Sequence, residues 1–318
     1  MSKPVVISGI QPTGFLHIGN YLGALKNWVE IQNSDKYECF FFIADFHSLT
    51  GEYTPQEKKT QIFNLACDFL AAGIDPKKST IFLQSDVSEC AELAWIFNTI
   101  TPIGELERMT QFKDKAKKQK LNVNTGLLTY PILQAADILI YHGEFVPVGQ
   151  DQKQHVEYAR DVAEKFNRIF GETFKLPKEI IIKGMENIPG LDGQKMSKSY
   201  NNTIPLFASY EEIRKCVMAI VTDSSGEIPK NVYAIHKLLR PENELEKIYE
   251  EKKGKYKELK ELLIEDMEKF IAPMREKREE LAKDIPKALE ILREGNEKAR
   301  KIAIKKLEEI RERIGVNI

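Results

Sequence analysis

Two short strings in this 318-residue chain combine residue types that can handle a polyphosphate. Gln11 to Asn20 reads QPTGFLHIGN and follows a β-branched run, VVIS, of the kind that forms a buried strand. Where a strand passes into a helix, unpaired backbone N–H groups and the positive helix end hold phosphate oxygens, and glycine lets a base or phosphate approach the backbone. His17 adds a donor that can follow negative charge as it builds, although a histidine near a helix start also serves simply as a structural residue. The second string is Lys195 to Ser199, KMSKS, preceded by Gly190, Asp192 and Gly193. Two lysines and two hydroxyls on a glycine-flanked loop can close on a triphosphate and neutralise its leaving group. A solvent-facing basic turn is the plain alternative. Asp137 is the third chemical position, within the otherwise apolar ILQAADIL of residues 132–139. A carboxylate there needs a donor, which is either a neighbouring basic residue or a ligand N–H.

The elements around these residues alternate. Apolar runs at Lys3 to Ser8, Cys39 to Ala44, Thr80 to Leu83 and Phe145 to Val148 are too short for helices and too apolar for a one-sided sheet. Helices are expected from Ile18, from the Thr54/Glu57 capping box to Gly73, and from about Gln150 to Phe170. The pattern predicts an α/β fold with a doubly wound parallel sheet over residues 1–200. Beyond Tyr200 strand signals nearly vanish. Helical patterns recur at Tyr210 to Val221, Lys257 to Phe270 and Glu297 to Ile314, which predicts an all-α second domain over 201–318.

Composition narrows the partners. With 47 Lys+Arg against 48 Asp+Glu the formal charge is −1, so any nucleic-acid contact must be a local patch. The Lys-rich stretch Lys113 to Lys120 is the one local excess of a single sign, and it reads as a solvated helix or a polyanion contact. No apolar run approaches the length of a membrane helix, and a cytoplasmic location is expected. The four cysteines form no C-x-x-C pair and the five histidines no i, i+4 couple, so neither a zinc site nor any other metal site is expected.

Together QPTGFLHIGN and KMSKS resemble the HIGH and KMSKS signatures of class I aminoacyl-tRNA synthetases, which have a Rossmann-like catalytic domain. Further stretches narrow the resemblance to the bacterial-type tryptophanyl-tRNA synthetases: GELERMTQFK from Gly104, YPILQAADIL from Tyr130 and VGQDQKQH from Val148. The resemblance implies ATP-dependent activation of L-tryptophan and transfer to the terminal ribose of tRNA(Trp). It implies that Gln11, Pro12, Thr13, Gly19 and Asn20 line the ATP site, that Gly149, Gln150 and Asp151 hold the ribose, and that Ile188 packs on the adenine. Lys195, Met196, Ser197, Lys198 and Ser199 would follow the pyrophosphate with Mg²⁺ bound through the phosphates, and His17, Lys195 and Lys198 would be catalytic. Asp137 would accept the indole N–H, with Tyr130, Gln152, Ile7 and Gly9 completing the pocket. A homodimer and an anticodon-binding helical half are implied as well.

Asn20 stands where the general signature has a second histidine, which is the tryptophanyl variant. Gln134 falls where many relatives carry methionine. Lys115 is a further candidate phosphate contact, and His47 in the segment DFHSLT is either a ligand contact or a buried supporting histidine. Three rivals remain at this point: a tyrosyl-tRNA synthetase, a small adenylyltransferase sharing the H-x-G-x turn, and a synthetase-like sensor without catalysis.

Overall fold

The computed structural model describes residues 3–110, 112–113, 123–181, 188–222 and 228–316. Lys115 lies outside the described residues, as does most of the Lys113 to Lys120 stretch. Five strands form one parallel sheet: β1 (Val5–Ile10), β2 (Glu38–Ile43), β3 (Ser79–Leu83), β4 (Phe145–Val148) and β5 (Lys178–Ile181). Their order is β3-β2-β1-β4-β5, with every pairing parallel. The direction of winding therefore reverses between β1 and β4, which is where open α/β sheets leave a crevice at their carboxyl ends.

β2 explains why the sheet is buried on both faces. Successive side chains of a strand point to opposite sides. Phe40 and Phe42 join one apolar cluster, with Phe82, Tyr141 and the helix Lys153–Phe170, while Cys39, Phe41 and Ile43 join the other, with Trp28 and Phe69. Trp28 stacks on Phe41 at 4.6 Å between ring centroids. The helix Pro55–Ala71 starts as expected: the Thr54 hydroxyl accepts from the Glu57 N–H, and Glu57 returns to the Thr54 N–H at 3.1 Å. It stops before Gly73, whose φ of +105° suits glycine.

Three features depart from expectation. β5 is an additional edge strand of four residues. Helices at Glu89–Ile100, Lys230–His236 and Glu242–Glu251 are also additional, and those at Tyr256–Lys283 and Ile285–Ile314 run longer than their sequence pattern. The last helix returns to the sheet. Ala299, Ala303, Leu307 and Ile310 enter the core containing Phe40 and Phe82, and a Cβ on Gly295 would lie 1.8 Å from the Ile81 carbonyl oxygen. Asn296 accepts from the Leu83 N–H at 2.8 Å, while Arg300 and Arg311 pair with Glu89 and Glu92. A smaller apolar cluster, Leu245, Tyr249 and Leu259, is built from helices of the carboxyl-terminal half alone.

Candidate active site

A cavity of about 360 Å³ opens at the carboxyl ends of β1 and β4, the point of winding reversal. β1 contributes Ile7, Ser8, Gly9 and Ile10, and Gln11 follows; β4 contributes Val146, Pro147 and Val148, and Gly149 follows. Gly9 is required sterically, since a Cβ there would meet the Phe42 ring at 2.6 Å. Gly23, Ala24 and Trp28 come from helix 18–33, which has a π-helical turn at Tyr21–Leu25; such turns widen the helix and are frequent at functional sites. Tyr130, Gln134 and Asp137 project from the helix Thr125–Leu139 at the three- and four-residue spacing that shares one helix face. His47 and Gln152 also line this cavity. Tyr130 is tied by its hydroxyl to His155 Nε2 at 2.7 Å.

Asp137 is 1% exposed. Its Oδ2 accepts from His47 Nε2 at 2.8 Å and from Gln84 Nε2 at 2.7 Å, whereas buried Oδ1 meets no protein donor among the described residues. A buried acceptor without a donor is costly, so a cavity lined by this carboxylate favours a ligand carrying a donor-only N–H. His47 thus holds Asp137 and at the same time lines the cavity. Gln84 is absent from the sequence reading; a glutamine following a strand carries no local signal.

A second cavity, about 350 Å³, is lined by Thr13, His17, Gly19, Asn20, Ile188, Lys195, Met196, Ser197 and Lys198. The amino-terminal turn and the lysine loop therefore face one space. The backbone enforces this: the segment following the loop pairs with the turn, with the Ile18 N–H donating to the Ile204 carbonyl at 2.9 Å and the Leu206 N–H to the Leu16 carbonyl at 3.0 Å. Asn202, 3% exposed, braces the loop from inside by accepting from the Ser197 N–H and donating to Asp192 and to the Lys195 carbonyl. Lys198 Nζ donates to the Thr13 carbonyl. Burial lowers the pKa of this ammonium, partly offset by the Asp68 carboxylate. Lys195 is exposed at the rim. Gln11 lines the first cavity and Thr13 the second, so this short turn connects them.

His17 is pushed down to a pKa of about 4, chiefly by burial and secondarily by the Lys198 charge. Its Nδ1 has no protein partner among the described residues, and a Cβ on Gly19 would come within 2.8 Å of that nitrogen. The imidazole is therefore neutral at pH 7, with one ring N–H to donate and one ring nitrogen to accept. In the unliganded protein the His17 Cε1–H NMR signal is expected to titrate with a midpoint about two pH units below an ordinary histidine. A midpoint near 6.5 would contradict this account.

Four residues of the sequence reading line neither cavity. Pro12 is buried, its carbonyl accepting from Lys58 Nζ at 3.3 Å. Gln150 and Ser199 are exposed, the Ser199 N–H donating to Ser197 Oγ. Asp151 has its backbone in the turn Gln150–Gln152, while its carboxylate lies outside the described part of the structure. A larger cavity, about 680 Å³, lies at the amino ends of β4 and β5 among Glu144, Glu164, Arg168, Glu172, Lys175 and Lys178. It contains none of the motif residues and sits at the wrong end of the strands for this fold.

A doubly wound sheet with these two strings around one cavity defines a class I nucleotide-activating enzyme. The family model for tRNA synthetases class I (W and Y) matches residues 1–290, and the chain belongs to that family. Within it the chain is of the bacterial tryptophanyl type. It is 49% identical over 280 residues to the tryptophan–tRNA ligase of Fusobacterium nucleatum subsp. nucleatum, covering 85% of each chain. The Campylobacter jejuni tryptophanyl-tRNA synthetase, whose structure holds ADP and tryptophan, superposes with a TM-score of 0.90 at 42% identity, covering 98% of this chain and 99% of that one. The Mycoplasma pneumoniae tryptophanyl-tRNA synthetase gives 0.85 at 33% identity, covering 100% and 99%.

Proposed function

We infer that the chain is a tryptophan–tRNA ligase. It activates L-tryptophan with ATP, releasing pyrophosphate, and transfers the tryptophanyl group to tRNA(Trp). The observation that carries the amino-acid identity is the unpaired Oδ1 of Asp137 in the wall of the first cavity. An indole N–H donates and cannot accept, so it matches a lone carboxylate oxygen; a phenol hydroxyl donates and accepts and is better served by two different partners.

In the first step the tryptophan carboxylate attacks the α-phosphorus and the α–β bridging oxygen leaves with pyrophosphate. Little proton transfer is needed, so the protein's work is alignment and charge stabilisation. Gln11, which lines the first cavity two residues from Thr13 in the second, would meet the reacting carboxylate and phosphate. Neutral His17 donates its one ring N–H to the phosphates. Lys198 exchanges the Thr13 carbonyl for phosphate oxygens, and Lys195 joins from the rim as the loop closes. In the second step the terminal ribose hydroxyl attacks the aminoacyl carbonyl and AMP departs. The lining of the second cavity has lysines and neutral donors but no carboxylate. That set suits a metal ion that arrives on the phosphates: Mg²⁺ would be held by ATP and would share the charge of the departing pyrophosphate.

The family reading further supports a catalytic unit of about residues 1–200, with Gly149, Gln150 and Asp151 toward the ribose, and a helical half over 201–318 that binds the anticodon. Among the described residues no helix is long and apolar enough to cross a membrane, and we assign the protein to the cytoplasm. We assign it as a homodimer through the face bearing Trp95 and Ile103, large apolar side chains 71% and 65% exposed on consecutive helices. Trp95→Asp is expected to shift the protein from dimer to monomer in sedimentation velocity, and an unchanged dimer would place the interface elsewhere.

Amino-acid-dependent exchange of labelled pyrophosphate into ATP tests the whole reading. Exchange with tryptophan and none with tyrosine is expected; no exchange would indicate a sensor, and exchange with tyrosine the sister enzyme.

A further inference from the structure

The carboxylate of Asp137 is held from behind by a residue that lines neither cavity. Gln84 lies in the 3-10 turn Gln84–Asp86 that continues β3, and it is 0% exposed. The orientation of its amide is fixed by chemistry. A backbone N–H only donates, so the Phe46 N–H, at 3.0 Å, must face the amide oxygen. The amide nitrogen is thereby turned to Asp137 Oδ2 at 2.7 Å. His47 Nε2 occupies the same oxygen at 2.8 Å, and as its partner accepts, His47 carries its proton there. Two donors on Oδ2 pin the carboxylate plane, while Oδ1 carries no hydrogen bond among the described residues and the Cys90 thiol lies beside the carboxylate. The next residue of the same turn, Ser85, donates its N–H to Asp45 Oδ1 at 3.0 Å, so the β3 turn grips the Asp45–His47 loop at two points.

We propose that Gln84 is the positioning residue that sets selection for an indole N–H. It ties the loop bearing His47 to the helix bearing Asp137 and keeps one carboxylate oxygen presented as an acceptor. The proposal rests on the reading of Asp137 as the partner of the indole nitrogen. It makes a distinction that a merely structural role would not. Loosening Asp137 must weaken tryptophan far more than an amino acid of the same shape without the N–H, because only tryptophan uses the oriented oxygen.

The test compares tryptophan with 3-benzothienylalanine, in which sulfur replaces the indole N–H, by pyrophosphate exchange on the full-length enzyme. Wild type is expected to favour tryptophan by about 100-fold or more in kcat/KM, since rejecting an analogue leaves a buried polar group unpaired. In Gln84→Leu that preference is expected to fall at least about tenfold, through a raised KM for tryptophan. The KM for ATP and the values for the analogue should be nearly unchanged. Gln84→Met keeps the volume but has no donor for Asp137, and the same fall is expected. If Gln84→Leu fails to fold, the methionine variant decides alone. Unaltered preference in the folded variants, or equal losses with both amino acids, overturns the proposal. If wild type itself makes no distinction, the assignment of Asp137 falls first and the proposal with it.

Discussion

Lys195→Ala is expected to slow formation of tryptophanyl adenylate by about 10²–10³-fold, the range seen when one preorganised charge or donor is removed from developing negative charge. Tryptophan binding should stay within about twofold. The reasoning is positional. Lys195 is exposed at the rim of the second cavity, remote from the Asp137 pocket, and it meets phosphate only when the loop closes. An interaction gained in the transition state lowers kcat when removed and leaves ground-state affinity for the other substrate alone. Single-turnover measurement of adenylate formation, with tryptophan affinity from fluorescence titration, checks both halves. Weakened tryptophan binding with unaltered chemistry would reverse the assignment.

Asp137→Ala is expected to raise the KM for tryptophan by about 10²-fold while that for ATP moves by less than about threefold, as for loss of a hydrogen bond to a charged group. Part of this loss reflects two stranded donors, because His47 and Gln84 both bond Asp137 Oδ2. Asp137→Asn separates the contributions. It retains an oxygen in the place of Oδ2 for both donors but puts an amide N–H in the place of Oδ1, so tryptophan should still bind poorly although the packing volume is preserved. Equal rises in both Michaelis constants would remove Asp137 from the tryptophan pocket.

The sequence disclosed those parts of the molecule that depend on local pattern. β1 to β4 are apolar runs because both faces of the sheet are covered, and any four or five such residues stand out from an otherwise charged chain. β5 did not stand out: KEII at the sheet edge needs only half its side chains apolar. The sequence pattern of the helix Tyr256–Lys283 carries only from Lys257 to Phe270; the structure continues the helix through Pro273, accommodating its missing N–H. In the site, His17, Lys195 and Lys198 belong to contiguous strings and were legible, and so was Asp137, a charge in an apolar helix. Gln84 was not. Its role depends on Phe46 and Asp137, which approach it only through the sheet. The bond between His47 and Asp137 is likewise visible only where the fold brings the two together.

The seating of Gly295 against Ile81 has a consequence for biogenesis. β3 is an outer strand of the sheet, and the helix laid across it, with Asn296 bonded to Leu83, follows it in the chain only after the whole helical stretch from Tyr210. Until that helix emerges, the outermost rung of the nucleotide-binding platform keeps an apolar flank in water, the kind of surface on which nascent chains cling to one another or to chaperones. The platform is encoded early and sealed late. Ribosomes halted before Ile285 would leave a chain in which every residue lining the two cavities has been made, yet whose foundation is still open.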